Sequence, residues 1–275
     1  SLDLKTGKIL WEYDTEDIIE GTACIAGSYV IFGSGDGFLY CMNQSDGKLK
    51  WKYETDGEIL GGVNLFKSKE DKKLYILAGS YDNHMHCVSL DDGKLKWKYE
   101  TQNYVNGAPG IADGKIYFGG CDAQIYGIKT EDGKVHTTMD AENYIANSIV
   151  VVDSVAYVAH HGNRVAAFDL KKKKQIWEFG ERDFPYFSSP AVTDDSVYAA
   201  GRDKRLYKIN RKSGDGIWEF KTGNGIESSP VVSGNNVYVG SGDGSIYAVD
   251  ITSGKEQWSF ELGDNIRSSP AVVDG

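Results

Sequence analysis

His84 and His86 stand two residues apart in the run His84-Met85-His86-Cys87-Val88. On an extended chain this spacing turns both imidazoles to one face, which is the beginning of a transition-metal site. No third ligand is suggested nearby and His86 replaces a tyrosine of other repeats, so no metal is expected. A second constellation is cationic and aromatic. His160, His161, Arg164, Arg202, Lys204 and Arg205 bring local basicity to an acidic chain, while Tyr104, Tyr144, Phe184, Tyr186 and Phe187 make neighbouring segments unusually aromatic. Cations beside exposed rings form a seat for an acidic or aromatic ligand, or for a carboxylate-bearing peptide. The binding patch expected from this pattern is Tyr104, Tyr144, His160, His161, Arg164, Tyr186, Phe187, Arg202 and Arg205. No nucleophile elbow, P-loop, HExxH or Rossmann glycine pattern occurs, so no catalytic residue is expected. Cys24, Cys41, Cys87 and Cys121 include no CxxC and no adjacent pair, and they read as small buried residues with no disulfide implied.

What must position these residues is a repeat. Trp11, Trp51, Trp97, Trp177, Trp218 and Trp258 fall at spacings of 40, 46, 40, 40, 41 and 40 residues once Thr137 is counted as a vacant seventh site. A period of that size, with turn glycines and short alternating apolar runs, specifies a blade-repeat architecture. The cleanest copy, residues 228–258, reads SSPVVSGNNVYVGSGDGSIYAVDITSGKEQW. Its β-branched and aromatic alternation predicts strands over 229–232, 236–240, 245–250 and 255–260, separated by Gly, Asn, Asp and Ser turns. One repeat is therefore a four-stranded antiparallel meander. The six extra residues of the second unit fall in 66–73, a charged insertion that belongs in a turn. Asp36, Asp82, Asp122, Asp203 and Asp243 recur between the second and third strands and read as turn formers.

Composition removes several roles. The formal net charge is −10 and the isoelectric point about 5.0, and the longest basic run is Lys171 to Lys174, so phosphate-backbone binding is not expected. No apolar stretch approaches the roughly 20 residues of a membrane span. Glu20, Leu60, Asn106, Ala146, Phe187, Glu227 and Arg267, which precede the innermost strands, are chemically mixed and lack the convergent carboxylates of a calcium site.

The motif Ala-x-Asp-x-x-(Thr/Ser)-Gly-Lys-x-x-Trp is present residue for residue from Ala248 to Trp258, with looser copies ending at Trp51, Trp97, Trp177 and Trp218. It resembles the tryptophan-docking motif of PQQ-like β-propeller repeats, shared by quinoprotein alcohol dehydrogenases and by the propeller lipoprotein of the outer-membrane β-barrel assembly machinery. The resemblance covers essentially the whole chain. It implies an all-β fold, a β-propeller of four-stranded antiparallel blades, seven or eight in number, forming one domain over residues 1–275. Six complete repeats and partial ones are visible, so the chain is expected to belong to a slightly longer protein. The six tryptophans are expected to dock blade on blade. Two functions follow from the resemblance. One is a non-catalytic scaffold for a protein or peptide partner, in the cell envelope or otherwise extracytoplasmic. The other is a PQQ-dependent dehydrogenase using PQQ with calcium, or a propeller binding another small molecule. The family's quinone site needs two adjacent cysteines and a tryptophan outside the docking positions, and this chain has neither, so no cofactor is expected.

Overall fold

The computed structural model describes residues 1–180 and 182–272. Twenty-four strands form six four-stranded antiparallel sheets among them, each ordered as a meander. They fall into two compact units, Ser1–Thr138 and Met139–Gly275. In the first unit, sheet 1 comprises Cys24–Ala26, Tyr29–Gly33, Phe38–Asn43 and Leu49–Glu54. Sheet 2 comprises Asn64–Lys67, Leu74–Gly79, His84–Ser89 and Leu95–Glu100. Sheet 3 comprises Gly110–Ala112, Lys115–Gly119, Gln124–Lys129 and Val135–Asp140, the last strand running two residues past Thr138. In the second unit, sheet 4 comprises Val150–Val152, Val155–His160, Arg164–Asp169 and Lys174–Phe179. Sheet 5 comprises Ala191–Val192, Ser196–Gly201, Arg205–Asn210 and Gly216–Lys221. Sheet 6 comprises Val231–Ser233, Asn236–Gly240, Ser245–Asp250 and Glu256–Glu261.

Burial follows from stacking sheet on sheet. The second and third strands are covered on both faces and read as continuous apolar runs, as in Leu74–Gly79, whereas the fourth strands alternate. One apolar cluster in the first unit joins Ile31, Leu39 and Cys41 of sheet 1 to Ile76, Ala78 and Val88 of sheet 2. Another joins Leu77, Met85 and Cys87 to Ile116, Phe118 and Ile128 of sheet 3. In the second unit the equivalent clusters join sheet 4 to sheet 5 and sheet 5 to sheet 6. The first hairpins of sheets 3 and 4 close through pairs of positive-φ residues, Asp113 with Gly114 and Asp153 with Ser154, whose twist matches the flanking strands.

Five of the six tryptophans sit on fourth strands beside a register shift; at the first, Cys41 faces Trp51 and Met42 faces Leu49, leaving Lys50 as the extra residue. The same shift recurs at Trp97, Trp177, Trp218 and Trp258. Such a bulge re-aims the neighbouring side chain. The indole N–H groups of Trp51, Trp97, Trp177 and Trp218 then donate to carbonyls of Leu90, Thr130, Arg211 and Ile251 at 2.8–3.2 Å, in the next sheet's turn. The indole faces lie on Gly93, Gly133, Gly214 and Gly254, all at positive φ. Trp11 makes the same bond to Gln44 O and rests on Gly47, so the strandless segment before sheet 1, with its Leu2–Ile9 bridge, carries the repeat's docking end. Thr137 is buried at the vacant tick, its methyl group close beside Gly127.

Candidate functional site

The turn between second and third strands is built around an aspartate that does more than turn. Asp36 accepts the Phe38 N–H at 3.0 Å and the Tyr40 hydroxyl at 2.7 Å. Asp122 and Asp243 hold Tyr126 and Tyr247 in the same way, and Asp203 holds Tyr207. The aspartate also accepts a backbone N–H from the segment arriving from the preceding sheet, Glu16 on Asp36, Gln102 on Asp122 and Gly223 on Asp243. In sheets 1, 3 and 6 these bonds clip the incoming loop to the sheet's turn, whereas in sheet 4, where Gly162 stands at the aspartate position, the His161 N–H donates to Tyr144 O at 3.2 Å; side chains on loops held in these ways have a rigid base.

On that base the second unit carries a row of rings and charges. The His161 ring lies 4.3 Å from the Tyr144 ring and 4.4 Å from the Phe187 ring, centroid to centroid. The Arg202 guanidinium sits 3.8 Å above Phe187, within cation–π range. Arg202 in turn grips Glu227 with contacts of 2.6 and 2.8 Å, and Arg267 approaches the other Glu227 oxygen at 3.7 Å. Beside this pair opens a polar cleft of about 240 Å³ lined by Arg202, Asn224, Gly225, Glu227, Gly242 and Asn265. Tyr144 is 44% exposed and the Arg202 side chain 46%, so the row can be touched from solvent. Burial, with the nearby Arg202 charge, lowers the pKa of His161, and a neutral imidazole therefore fills the gap between the two rings near pH 7.

The other members of the expected patch have separate tasks. Arg164 is bound by Glu178 at 2.9 Å and Arg205 by Glu219 at 3.0 Å, each across to the fourth strand of its own sheet. Lys204, at φ 70°, is the left-handed turn residue and donates to Gly223 O. His160 is buried with Nδ1 accepting the Gly162 N–H, and its pKa is lowered mainly by burial. Tyr186 is buried in the core between sheets 4 and 5. Tyr104 belongs to the first unit, where it stacks on Tyr81 with centroids 4.6 Å apart and rings nearly parallel. Tyr81, Glu227 and Arg267 were missing from the expected patch. Their signal was positional, because Tyr81 occupies the repeat position of His161 and Arg202, while Glu227 and Arg267 occupy that of Phe187.

The residues present do not fit PQQ. The indoles of Trp11, Trp51, Trp97, Trp177 and Trp218 are committed to docking; Trp258, also expected to dock, stands in the same register opposite Ala248 but is 46% exposed, with no indole docking bond among the described residues. All four cysteines are free thiols. Burial pushes the thiols of Cys41, to about 11, and Cys87 upward, which removes them as nucleophiles at neutral pH. No helix among the described residues is long and apolar enough to cross a membrane.

A family model described as outer membrane protein assembly factor BamB matches residues 1–102, 61–180 and 161–274. No curated protein matches the chain by sequence. Among solved structures, the crystal structure of BamB from Moraxella catarrhalis is similar with a TM-score of 0.81 over 98% of this chain and 84% of that one, at 20% identity. That likeness shows the fold, a β-propeller whose blades are the four-stranded sheets.

Proposed function

The chain belongs to the family of outer membrane protein assembly factor BamB, and from that premise we propose that it is a non-catalytic scaffold of the cell envelope that holds a protein partner in outer-membrane protein assembly. The observation that carries this reading is the row Tyr144, His161, Phe187, Arg202 and Glu227. It replaces the glycine seen at equivalent turns, Gly35 and Gly242, by side chains that interlock and still reach solvent. Rigid aromatic and arginine groups on clipped loops lose little conformational freedom on binding, which is how anchoring positions reach high affinity. The row offers a partner two contact chemistries: ring faces at Tyr144, and guanidinium N–H groups at Arg202 and Arg267 for a carboxylate.

A photo-crosslinking residue placed at Tyr144 or Phe187 tests the reading in intact envelopes. The expected product is an adduct with a component of the outer-membrane assembly machinery. The control is the same residue at Ile217, an exposed position on the fourth strand of sheet 5. Adducts at Ile217 alone, or none at either loop position, would sink the proposal.

A further inference from the structure

Sheet 2 departs from the aspartate–tyrosine clip in a way the fold does not require. At the clip, the residue two after the aspartate contributes only its backbone N–H, as Phe38, Gln124 and Ser245 do. The residue four after it contributes one hydroxyl. In sheet 2 both positions are histidine at once. The N–H of His84 still bonds Asp82 at 2.9 Å, so the His84 imidazole is surplus to the clip. Its Nδ1 lies 2.8 Å from the Asp82 carbonyl oxygen and 3.5 Å from Asp82 Oδ1, which holds the ring over the carboxylate. His86 Nε2 lies 2.9 Å from Asp82 Oδ2, and its Nδ1 is 3.1 Å from the Tyr53 hydroxyl. One ligand atom from each of Asp82, His84 and His86 falls within 4.8 Å of the others. The Asp82 and His86 side chains are only 5% and 2% exposed, while that of His84 is 20% exposed, so the cluster has a walled floor and an open side.

We propose that Asp82, His84 and His86 form a binding site for a first-row divalent cation of the Zn²⁺ type. Two imidazoles and one carboxylate are a donor set that suits such an ion, and three protein ligands leave a position for water or for a partner's side chain. The carboxylate can only accept, so His86 Nε2 carries the proton in the ion-free chain. On binding, the ion takes the Nε2 lone pair and the ring's one proton passes, by exchange with solvent, to Nδ1, which then donates to the Tyr53 oxygen. Tyr53 is then a positioning residue that sets the His86 tautomer and ring plane.

The test titrates untagged, chelator-stripped protein with ZnCl₂ against a chromophoric chelator. One ion per chain is expected. His86→Tyr and His84→Gln remove the ligands while installing residues that this chain uses at the same positions, Tyr126 and Gln124, so both variants keep the fold. Both are expected to lose the site, and Tyr53→Phe to weaken it by about tenfold. Thermal melts of the two histidine variants confirm that lost binding is not lost folding. The proposal is overturned if the native chain takes up no Zn²⁺, or if His86→Tyr and His84→Gln bind it as well as the native chain does.

Discussion

Trp177 lies flat on Gly214. A Cβ on Gly214 would stand 2.8 Å from two indole atoms and from the Cβ of Trp177, the backbone there has φ 81°, and the indole N–H donates to Arg211 O at 2.9 Å. Sheet 4 is thereby fastened to the turn of sheet 5 by contacts that require both residue types. Trp177→Ala is expected to destabilise the chain by about 3–5 kcal/mol, the usual cost of deleting a buried aromatic. Gly214→Ala should cost about 2–4 kcal/mol, from the left-handed backbone and the overpacked indole together. Denaturant midpoints at constant slope measure both, and a loss below about 1 kcal/mol for either would show that the seam is not a principal fastening.

Acid should loosen the clips of the first unit. Burial alone would raise the pKa of Asp82, but the His86 hydrogen bond and charge and the His84 N–H outweigh it and hold the carboxyl at about 2. A carboxyl depressed on folding adds stability above its unfolded value near 4 and loses it as pH falls toward 2. For Asp82 the stability lost across this range is about 2 kcal/mol. Asp82→Asn is expected to flatten the pH dependence of the melting temperature between pH 5 and 2, and an unchanged slope would assign acid sensitivity elsewhere.

A milder acid effect belongs to the second unit. His160 and His161 have pKa values lowered by burial, so between their folded values and the ordinary value near 6.5 the unfolded chain binds more protons. Stability is then fully present above about 6.5 and declines as pH falls. His161→Phe keeps the ring between Tyr144 and Phe187 and removes one titrating group. Its stability should fall less than that of the native chain from pH 7 to 5, measured by thermal melts. An equal fall in both proteins would exclude His161 as a source.

Charge at Arg202 should matter to binding more than to folding. Its stacking on Phe187 and its half-exposed pairing with Glu227 together contribute no more than about 1–2 kcal/mol to stability. Arg202→Ala is expected to weaken capture of the proposed assembly-machinery partner by tenfold or more, the mark of an anchoring arginine. Arg164→Ala breaks the Glu178 pair within its own sheet and should leave capture within about twofold, as expected for a side chain outside the contact. Quantitative pull-downs with both variants decide between these positions, and equal losses would move the contact away from the row.

Much of this was legible along the chain. The tryptophan spacing identified the repeat, and the small residues Cys41, Cys87, Ala167 and Ala248 mark the sites that face the indoles across the third and fourth strands. The aromatic and basic irregularity in the segments around His161 and Arg202 was also visible. What could not be read was which charges were already committed. Arg164 meets Glu178, and Arg205 meets Glu219, through the pairing of third and fourth strands within one sheet. Asp82 was legible only as a turn former, although it shares the two-residue step of His84 and His86. Asn83 at φ 68° bends the chain so that the carboxylate turns back on both imidazoles.

By itself, then, the sequence determined the blade, because strand period, turn residues and the docking tryptophan are local properties repeated at a near-constant interval. Only the tertiary structure decided which exceptions to the repeat act together. Tyr144, His161, Phe187 and Arg202 come from the loops of successive blades, about 40 residues apart in period, and meet where the bond from the His161 N–H to Tyr144 O and the ring contacts bring those loops side by side. Side-chain proximity depends on distance in space, and a sequence orders residues only along the chain.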